Sequence, residues 1–125
     1  MRKILVTGGA GFIGSNLCEE LVKKGNYVVC LDNFSTGRIE NIQSLLDNKR
    51  FKLIEGDIRN LDTCLKAVNG VDVVFHEAAM GSIPRSIDDP ITTNAVNISG
   101  FLNMLVAAKN AKIDPVPYLF AEFIA

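Results

Sequence analysis

The feature that most limits how this chain can fold is a string of glycines set between an apolar run and a helical stripe. Ile4-Leu5-Val6 is a short run of branched apolar residues, and Thr7-Gly8-Gly9-Ala10-Gly11-Phe12-Ile13-Gly14 follows it directly. A run with no polar alternation reads as a strand buried on both faces of a parallel sheet. From Ile13, apolar residues recur at Leu17 and Leu21 with Val22 alongside, until Lys23-Lys24-Gly25 ends the pattern. That is helical spacing closed by basic residues and a glycine. The opening unit is therefore strand, tight turn, helix.

The cycle then repeats. Tyr27 to Leu31 predicts a second strand, Asp32 to Gly37 a loop, and Ile39 to Asp47 a weaker helix. Phe51 to Ile54 predicts a third strand ending at Glu55-Gly56-Asp57, Leu61 to Val68 a short helix, and Val71 to Phe75 a fourth strand. Gly81 to Pro90 reads as loop. Pro90 suits a helix start, and Val96, Ile98, Leu102, Leu105 and Val106 carry a long helical pattern to about Ala111. Strands alternating with helices at this spacing predict an α/β fold, a doubly wound parallel sheet with helices on both faces. Ligands of such sheets lie beyond the carboxyl ends of the strands. Every glycine-rich or polar loop in the pattern falls at that edge.

Composition narrows the class of partner. With 125 residues there is room for one domain, and 48% apolar against 22% charged residues is a globular balance rather than a disordered one. A formal net charge of -1 without a single-sign block points away from nucleic acid and anionic membranes. No stretch approaches the roughly 18 to 20 apolar residues of a membrane span. The apolar run behind Met1-Arg2-Lys3 is too short for a signal-peptide core, so a soluble, cytoplasmic protein is expected. Cys18, Cys30 and Cys64 are odd in number and form no C-x-x-C pair. They read as buried thiols rather than as a disulfide framework or a zinc site, and no metal centre is expected.

Gly9-Ala10-Gly11-Phe12-Ile13-Gly14 is a G-x-G-x-x-G placed after a strand and opening a helix, the context in which the string signals a dinucleotide. A side chain at Gly11 would block the approach of a pyrophosphate, and Gly14 lets the helix pack closely. The helix N-terminus offers unpaired N-H groups and about half a positive charge. Asp32 ends the second strand, where an acid accepts the hydroxyls of an adenosine ribose. A 2'-phosphate about 4 Å from it would meet repulsion of about 4 kcal/mol at an effective dielectric near 20, which favours NAD over NADP. Asp57 and the backbone of Ile58 suit an adenine contact. Ala78 and Ala79, after His76-Glu77, would let backbone approach a flat ring or ribose; His76 itself reads as structural. Asn94 and Asn97 share one helical face.

Together, Thr7 to Gly14, Asp32-Asn33, Gly56-Asp57-Ile58, His76-Glu77-Ala78-Ala79 and Asn94-x-x-Asn97 resemble the extended short-chain dehydrogenase/reductase family. Within it the chain looks like an NAD-dependent nucleotide-sugar 4-epimerase. The resemblance implies a Rossmann-like NAD-binding domain over residues 1–112. It assigns the pyrophosphate to Gly8, Gly11, Phe12, Ile13 and Gly14, and the adenosine ribose to Asp32 and Asn33, with Ser35 and Gly37 completing that loop. Asp57 and Ile58 would meet the adenine, Ala78 and Ala79 the nicotinamide side, and Asn97 would order the active-site backbone. Gly81-Ser82-Ile83-Pro84-Arg85-Ser86 is similar to the loop of epimerases acting on UDP-N-acetylhexosamines or their uronic acids, which makes Gly81 and Ser82 substrate contacts. A UDP-sugar is the substrate the family implies.

The pattern breaks where the family's proton-transfer pair belongs. A tyrosine with a lysine four residues on is implied, but Leu31 follows Tyr27 at that distance and Glu122 follows Tyr118. Residues 113–125 hold no serine or threonine, and Pro115 and Pro117 interrupt them, so they read as an atypical apolar tail in which Tyr118 to Ala125 stands where a fifth strand belongs. No catalytic residue is assigned. The sequence thus reads as the NAD-binding part of an epimerase, truncated before the catalytic and substrate-binding parts and inactive alone; a non-catalytic NAD-binding or interaction module is the alternative. Dehydratase and decarboxylase relatives are not separated from epimerases. An unpaired sheet edge and exposed apolar surface would favour self-association.

Overall fold

The computed structural model describes residues 1–79, 83–113 and 119–120. Five parallel strands form one sheet in the order β3-β2-β1-β4-β5: β1 Lys3–Thr7, β2 Tyr27–Asp32, β3 Phe51–Glu55, β4 Val73–His76 and β5 Leu119–Phe120. Helix α1 (Phe12–Lys23) joins β1 to β2, and α2 (Leu61–Ala67) joins β3 to β4. Beyond β4 come α3 (Ile83–Asp88), α4 (Pro90–Asn94), a π-helical turn (Ala95–Gly100) and α5 (Phe101–Asn110). The strand order reverses beside β1, where a doubly wound sheet opens its crevice. The doubly wound parallel sheet expected from the sequence is the one observed, and β5 within the expected tail joins it.

Alternation along the buried strands builds two cores, one on each face of the sheet. Val6, Val28 and Cys30 face Cys18 and Val22 of α1. Leu5, Val29, Leu31 and Val74 face Cys64 and Ala67 of α2 together with Met104, Ala107 and Ala108 of α5. All three cysteines are free and buried. Local signals set the helix ends: the Asn60 side chain accepts from Thr63 N at 3.2 Å to cap α2, and Asp89 accepts from Thr92 N at 3.2 Å to cap α4, with Pro90 in its first turn. Gly25, at φ +91, ends α1 in a conformation that glycine adopts freely.

Three expectations change. Ile39 to Asp47 forms two short 3-10 turns, Ile39–Asn41 and Gln43–Leu45, rather than a helix. Arg38 N and Asn41 Nδ2 both donate to Ala10 O, and Ile42 is fully buried, so attachment to the glycine turn outweighs helical propensity. Within the loop predicted from Gly81 to Pro90, Ile83–Asp88 is helical, because Pro84 sits in a first turn, where no intrahelical N-H is needed. Finally, Pro90–Asn110 is long and apolar enough, by length and composition, to cross a membrane, at a mean hydropathy of 1.2. Here it covers the sheet through Val96, Met104, Ala107 and Ala108, while Ile91, Ile98 and Leu102 remain exposed.

Leu5 is completely buried at the centre of the sheet, paired with Val29 on one side and Val74 on the other. Leu5→Ala is expected to lower unfolding free energy by about 2–5 kcal/mol, whereas Leu46→Ala, at a 40% exposed position, should cost far less. Urea unfolding of the two variants checks this; equal losses would show that the central strand is not the packed core.

Candidate functional site

The turn after β1 is built from close backbone approaches. Gly8 takes φ +68, donates from its N to Leu31 O at 2.7 Å, and receives at its O from Gly11 N at 3.1 Å. A Cβ on Gly8 would stand 2.8 Å from Ala78 N, and one on Gly14 would run into the Gly8 carbonyl oxygen. Gly14 therefore lets α1 close on the turn itself. Gly11, in extended conformation, stands at the N-cap of α1 with no side-chain hydrogen bond, and the first turn has no acidic residue. The leading N-H groups of α1 and its positive end are thus left for an anion.

Ala10 and Asp32 bind this turn to β2. The Asp32 carboxylate is 8% exposed; its Oδ2 accepts from Ala10 N at 2.9 Å and its Oδ1 from Phe34 N at 2.8 Å. A carboxylate has about four acceptor positions, so two remain for a ligand. Gly37 passes directly behind: a Cβ there would lie 2.8 Å from Asp32 Oδ2 and 3.0 Å from Ala10 Cβ.

At the end of β3, Asp57 is held by its neighbours. Arg59 Nη2 approaches Asp57 Oδ2 at 2.6 Å, and Asn33 Nδ2 donates to the same oxygen at 3.1 Å. The Arg59 hydrogen bonds hold the Asp57 carboxyl down at about 2. Asn33 Oδ1 in turn accepts from Ser35 N at 3.0 Å. Ile58 O is fixed from the opposite face by Asn103 Nδ2 at 2.9 Å and Cys64 Sγ at 3.3 Å. The Cys64 thiol is pushed up to about 11 by burial and stays protonated.

Between β1 and β4, one hydroxyl joins two strand ends. Thr7 Oγ1 accepts from Glu77 N at 3.1 Å and from Ala78 N at 3.2 Å, and lies 2.8 Å from His76 Nδ1. With its acceptor capacity taken by two amides, the hydroxyl donates its hydrogen to Nδ1, which fixes a neutral imidazole protonated on Nε2. Burial independently lowers His76 to about 4. The structural role expected for this histidine is the one its bonds describe.

These elements enclose a cavity of about 370 Å³ at the carboxyl edge of the sheet. Gly8, Gly11, Phe12, Ile13 and Gly14 line it at the turn, Asp32, Asn33 and Ser35 at β2, Asp57 and Ile58 at β3, and Ala78 and Ala79 at β4. Two sequence candidates stand elsewhere: Gly37 packs behind Asp32, and Asn97 lies next to the lining residue Val96 but is not itself a lining residue. Gly81 and Ser82 lie outside the described residues. Leu31, Thr36, Gly56, Glu77 and Val96 line the cavity without having been assigned to a ligand. Glu77 had a signal, its place within His76-Glu77-Ala78-Ala79; Val96 had none beyond the helical pattern. Among the described residues no three His, Cys, Asp or Glu gather as a metal-holding group.

Two of the lowered groups, His76 and Asp57, act in separate acid windows. His76, ordinarily 6.5, is lowered to about 4, so the unfolded chain takes up a proton that the folded one refuses. Stability is complete above about pH 6.5 and declines toward pH 4, by on the order of 3 kcal/mol. Asp57, ordinarily 3.8, is lowered to about 2, so its contribution is present above pH 3.8 and lost toward pH 2; the exposed Arg59 partner limits it to about 1 kcal/mol or less. Glu77, raised by burial, has the opposite sign. Comparison with His76→Asn isolates the histidine: the stability difference between wild type and variant should shrink from pH 7 to pH 4.5. A difference independent of pH would rule out the neutral imidazole.

The chain matches the family model of GDP-mannose 4,6 dehydratase over residues 5–121. It is 42% identical over 115 residues to UDP-glucose 4-epimerase of Mycolicibacterium smegmatis, covering 91% of this chain and 37% of that protein. Among solved structures it resembles UDP-glucose 4-epimerase of Thermus thermophilus in complex with NAD, with a TM-score of 0.79 at 36% identity over 90% of this chain and 35% of that one. The same TM-score, identity and coverage relate it to UDP-N-acetylglucosamine 4-epimerase of Methanobrevibacter ruminantium M1 in complex with UDP-N-acetylmuramic acid. The chain thus spans about a third of the length of these relatives. Motif order, sheet order and the match over residues 5–121 agree: the chain belongs to the GDP-mannose 4,6 dehydratase family.

Proposed function

We propose that this chain binds NAD as the nucleotide-binding portion of a nucleotide-sugar 4-epimerase, whose substrate is a UDP-N-acetylhexosamine or its uronic acid. The observation that carries the NAD reading is the uncapped N-terminus of α1, opening through a side-chain-free glycine turn into a cavity with Asp32 on its wall. The residues fit the group. Phe12, Ile13 and Gly14 present backbone N-H groups to a diphosphate, and Gly11 leaves the approach clear. Asp32, with two acceptor positions remaining, takes the adenosine ribose. Asn33 and Ser35 form the edge of that subsite and Ile58 its adenine side, while the Asp57 carboxylate, already engaged by Arg59, acts by holding Asn33 in place.

When bound, NAD supplies a hydride acceptor for oxidation at C4 of a sugar. This chain's residues bind and orient it. They do not move a proton, because neither Tyr27 nor Tyr118 has a lysine four residues on. Binding without turnover is therefore expected of this chain by itself. The lean toward N-acetylhexosamines rests on Gly81-Ser82-Ile83-Pro84-Arg85-Ser86 and on the likeness to an epimerase named for UDP-N-acetylglucosamine.

Calorimetric titration with NAD and NADP tests the reading. NAD is expected to bind more tightly than NADP, and Asp32→Ala should weaken NAD by about ten- to a hundredfold, the loss of hydrogen bonds to a charged acceptor together with the Ala10 tie. Tighter binding of NADP, or an Asp32→Ala protein of native melting temperature and undiminished affinity, would reject the ribose assignment.

A further inference from the structure

The loop after β2 turns two of its amides onto its own side chains. Phe34 N donates to Asp32 Oδ1 at 2.8 Å, and Ser35 N donates to Asn33 Oδ1 at 3.0 Å. Successive loop amides that face an anion instead form the concavities in which phosphate is held. Ser35 and Thr36 line the cavity along with Asp32. Arg38 follows, exposed and in neither of the ion pairs among the described residues, Lys24–Glu20 and Arg59–Asp57. Amides and an arginine at this place are what receives the 2'-phosphate of NADP, and here they stand beside an acid that suits the ribose of NAD. The bonds within the loop therefore bear on which cofactor it takes. The Asn33 side chain is itself held: its Nδ2 donates to Asp57 Oδ2 at 3.1 Å, and Arg59 binds both oxygens of that carboxylate. Arg59 Nε lies 3.0 Å from Oδ1 and 2.9 Å from Oδ2, and Nη2 lies 2.6 Å from Oδ2. Asn33, Ser35 and Asp57 line the cavity and Arg59 does not, so its influence on a ligand passes through them.

We propose that Asn33 is a second determinant of cofactor choice: by occupying Ser35 N it withholds a phosphate donor, and Arg59, through Asp57, is the positioning residue that keeps it there. Asp32 repels a 2'-phosphate, and Asn33 denies it a bond. The loop does not need the Asn33 side chain to keep its place. Phe34, at φ +59, packs against the core on the α1 face of the sheet, and its N is bonded to Asp32. Arg38 N is bonded to Ala10 O at 3.0 Å. Removing the Asn33 side chain therefore frees Ser35 N while these bonds hold the loop on either side of it. The assignment rests on the NAD reading and adds to it the residues that strengthen the preference over NADP.

The test is calorimetric titration of wild type, Asn33→Ala, Arg59→Ala and the double variant with NAD and NADP, read as the NADP dissociation constant divided by that of NAD. Asn33→Ala is expected to lower this ratio about tenfold, the low end for one hydrogen bond to a charged group. Arg59→Ala keeps the bond from its own N to Asp57 Oδ1 at 2.9 Å and should lower the ratio about threefold. The double variant should go no lower than Asn33→Ala, because Arg59 acts through Asn33. A loss of packing or stability would weaken both dinucleotides in step and leave the ratio where it was. An unchanged ratio in Asn33→Ala would overturn the role of Asn33. An unchanged ratio in Arg59→Ala, or single effects that multiply in the double variant, would overturn the relay from Arg59. Each of these outcomes leaves the NAD reading standing as long as wild type takes NAD; wild-type protein that takes neither dinucleotide would overturn that reading and this assignment with it.

Discussion

The contact on which the site depends is the one between Ala10 N and the Asp32 carboxylate. It joins the turn after β1 to the end of β2, and it does so within the buried layer, where water does not compete. Arg38 N and Asn41 Nδ2 then attach to Ala10 O, so the loop beyond β2 also hangs on this one peptide unit. The turn is consequently held by bonds of the chain itself. A binding surface formed in advance loses little of the interaction energy to ordering the chain.

Charge at the sheet edge is arranged by equally local partners. Asp32 accepts from two backbone amides, Asp57 is paired with Arg59 and bonded by Asn33, and the imidazole of His76 is kept uncharged by burial and by the Thr7 hydroxyl. What remains unopposed is the positive end of α1, whose first turn carries no acid. Among the described lining residues there is no lysine or arginine, so an anion entering the cavity meets the helix field itself.

Much of this was legible in the residues because short-range rules decide it. The strand Ile4-Leu5-Val6, the glycines at 8, 11 and 14, and Asp32 at a strand end each mean the same thing locally and in the folded chain. The missed features are the tertiary ones. Ile39 to Asp47 has helical composition, but its shape is set by bonds to Ala10, some thirty residues earlier. Val96 lines the cavity from the π-helical turn, and its place in an apolar helical pattern gave no sign of that. Asn103, which fixes the Ile58 carbonyl, gave no signal, since an asparagine in a helix is ordinarily a surface residue.

Thr7 has a consequence for how the sheet bears load. Where the strand order turns back on itself, neighbouring strands are usually stitched only by their peptide ladder, and the crevice above them is the natural place for the two halves to slide. Here a single oxygen is shared three ways across that seam, by an imidazole and two amides. A valine at this position would keep the shape and cut all three threads, leaving the β1–β4 ladder and the Glu77 N to Thr7 O bond to hold the floor of the crevice.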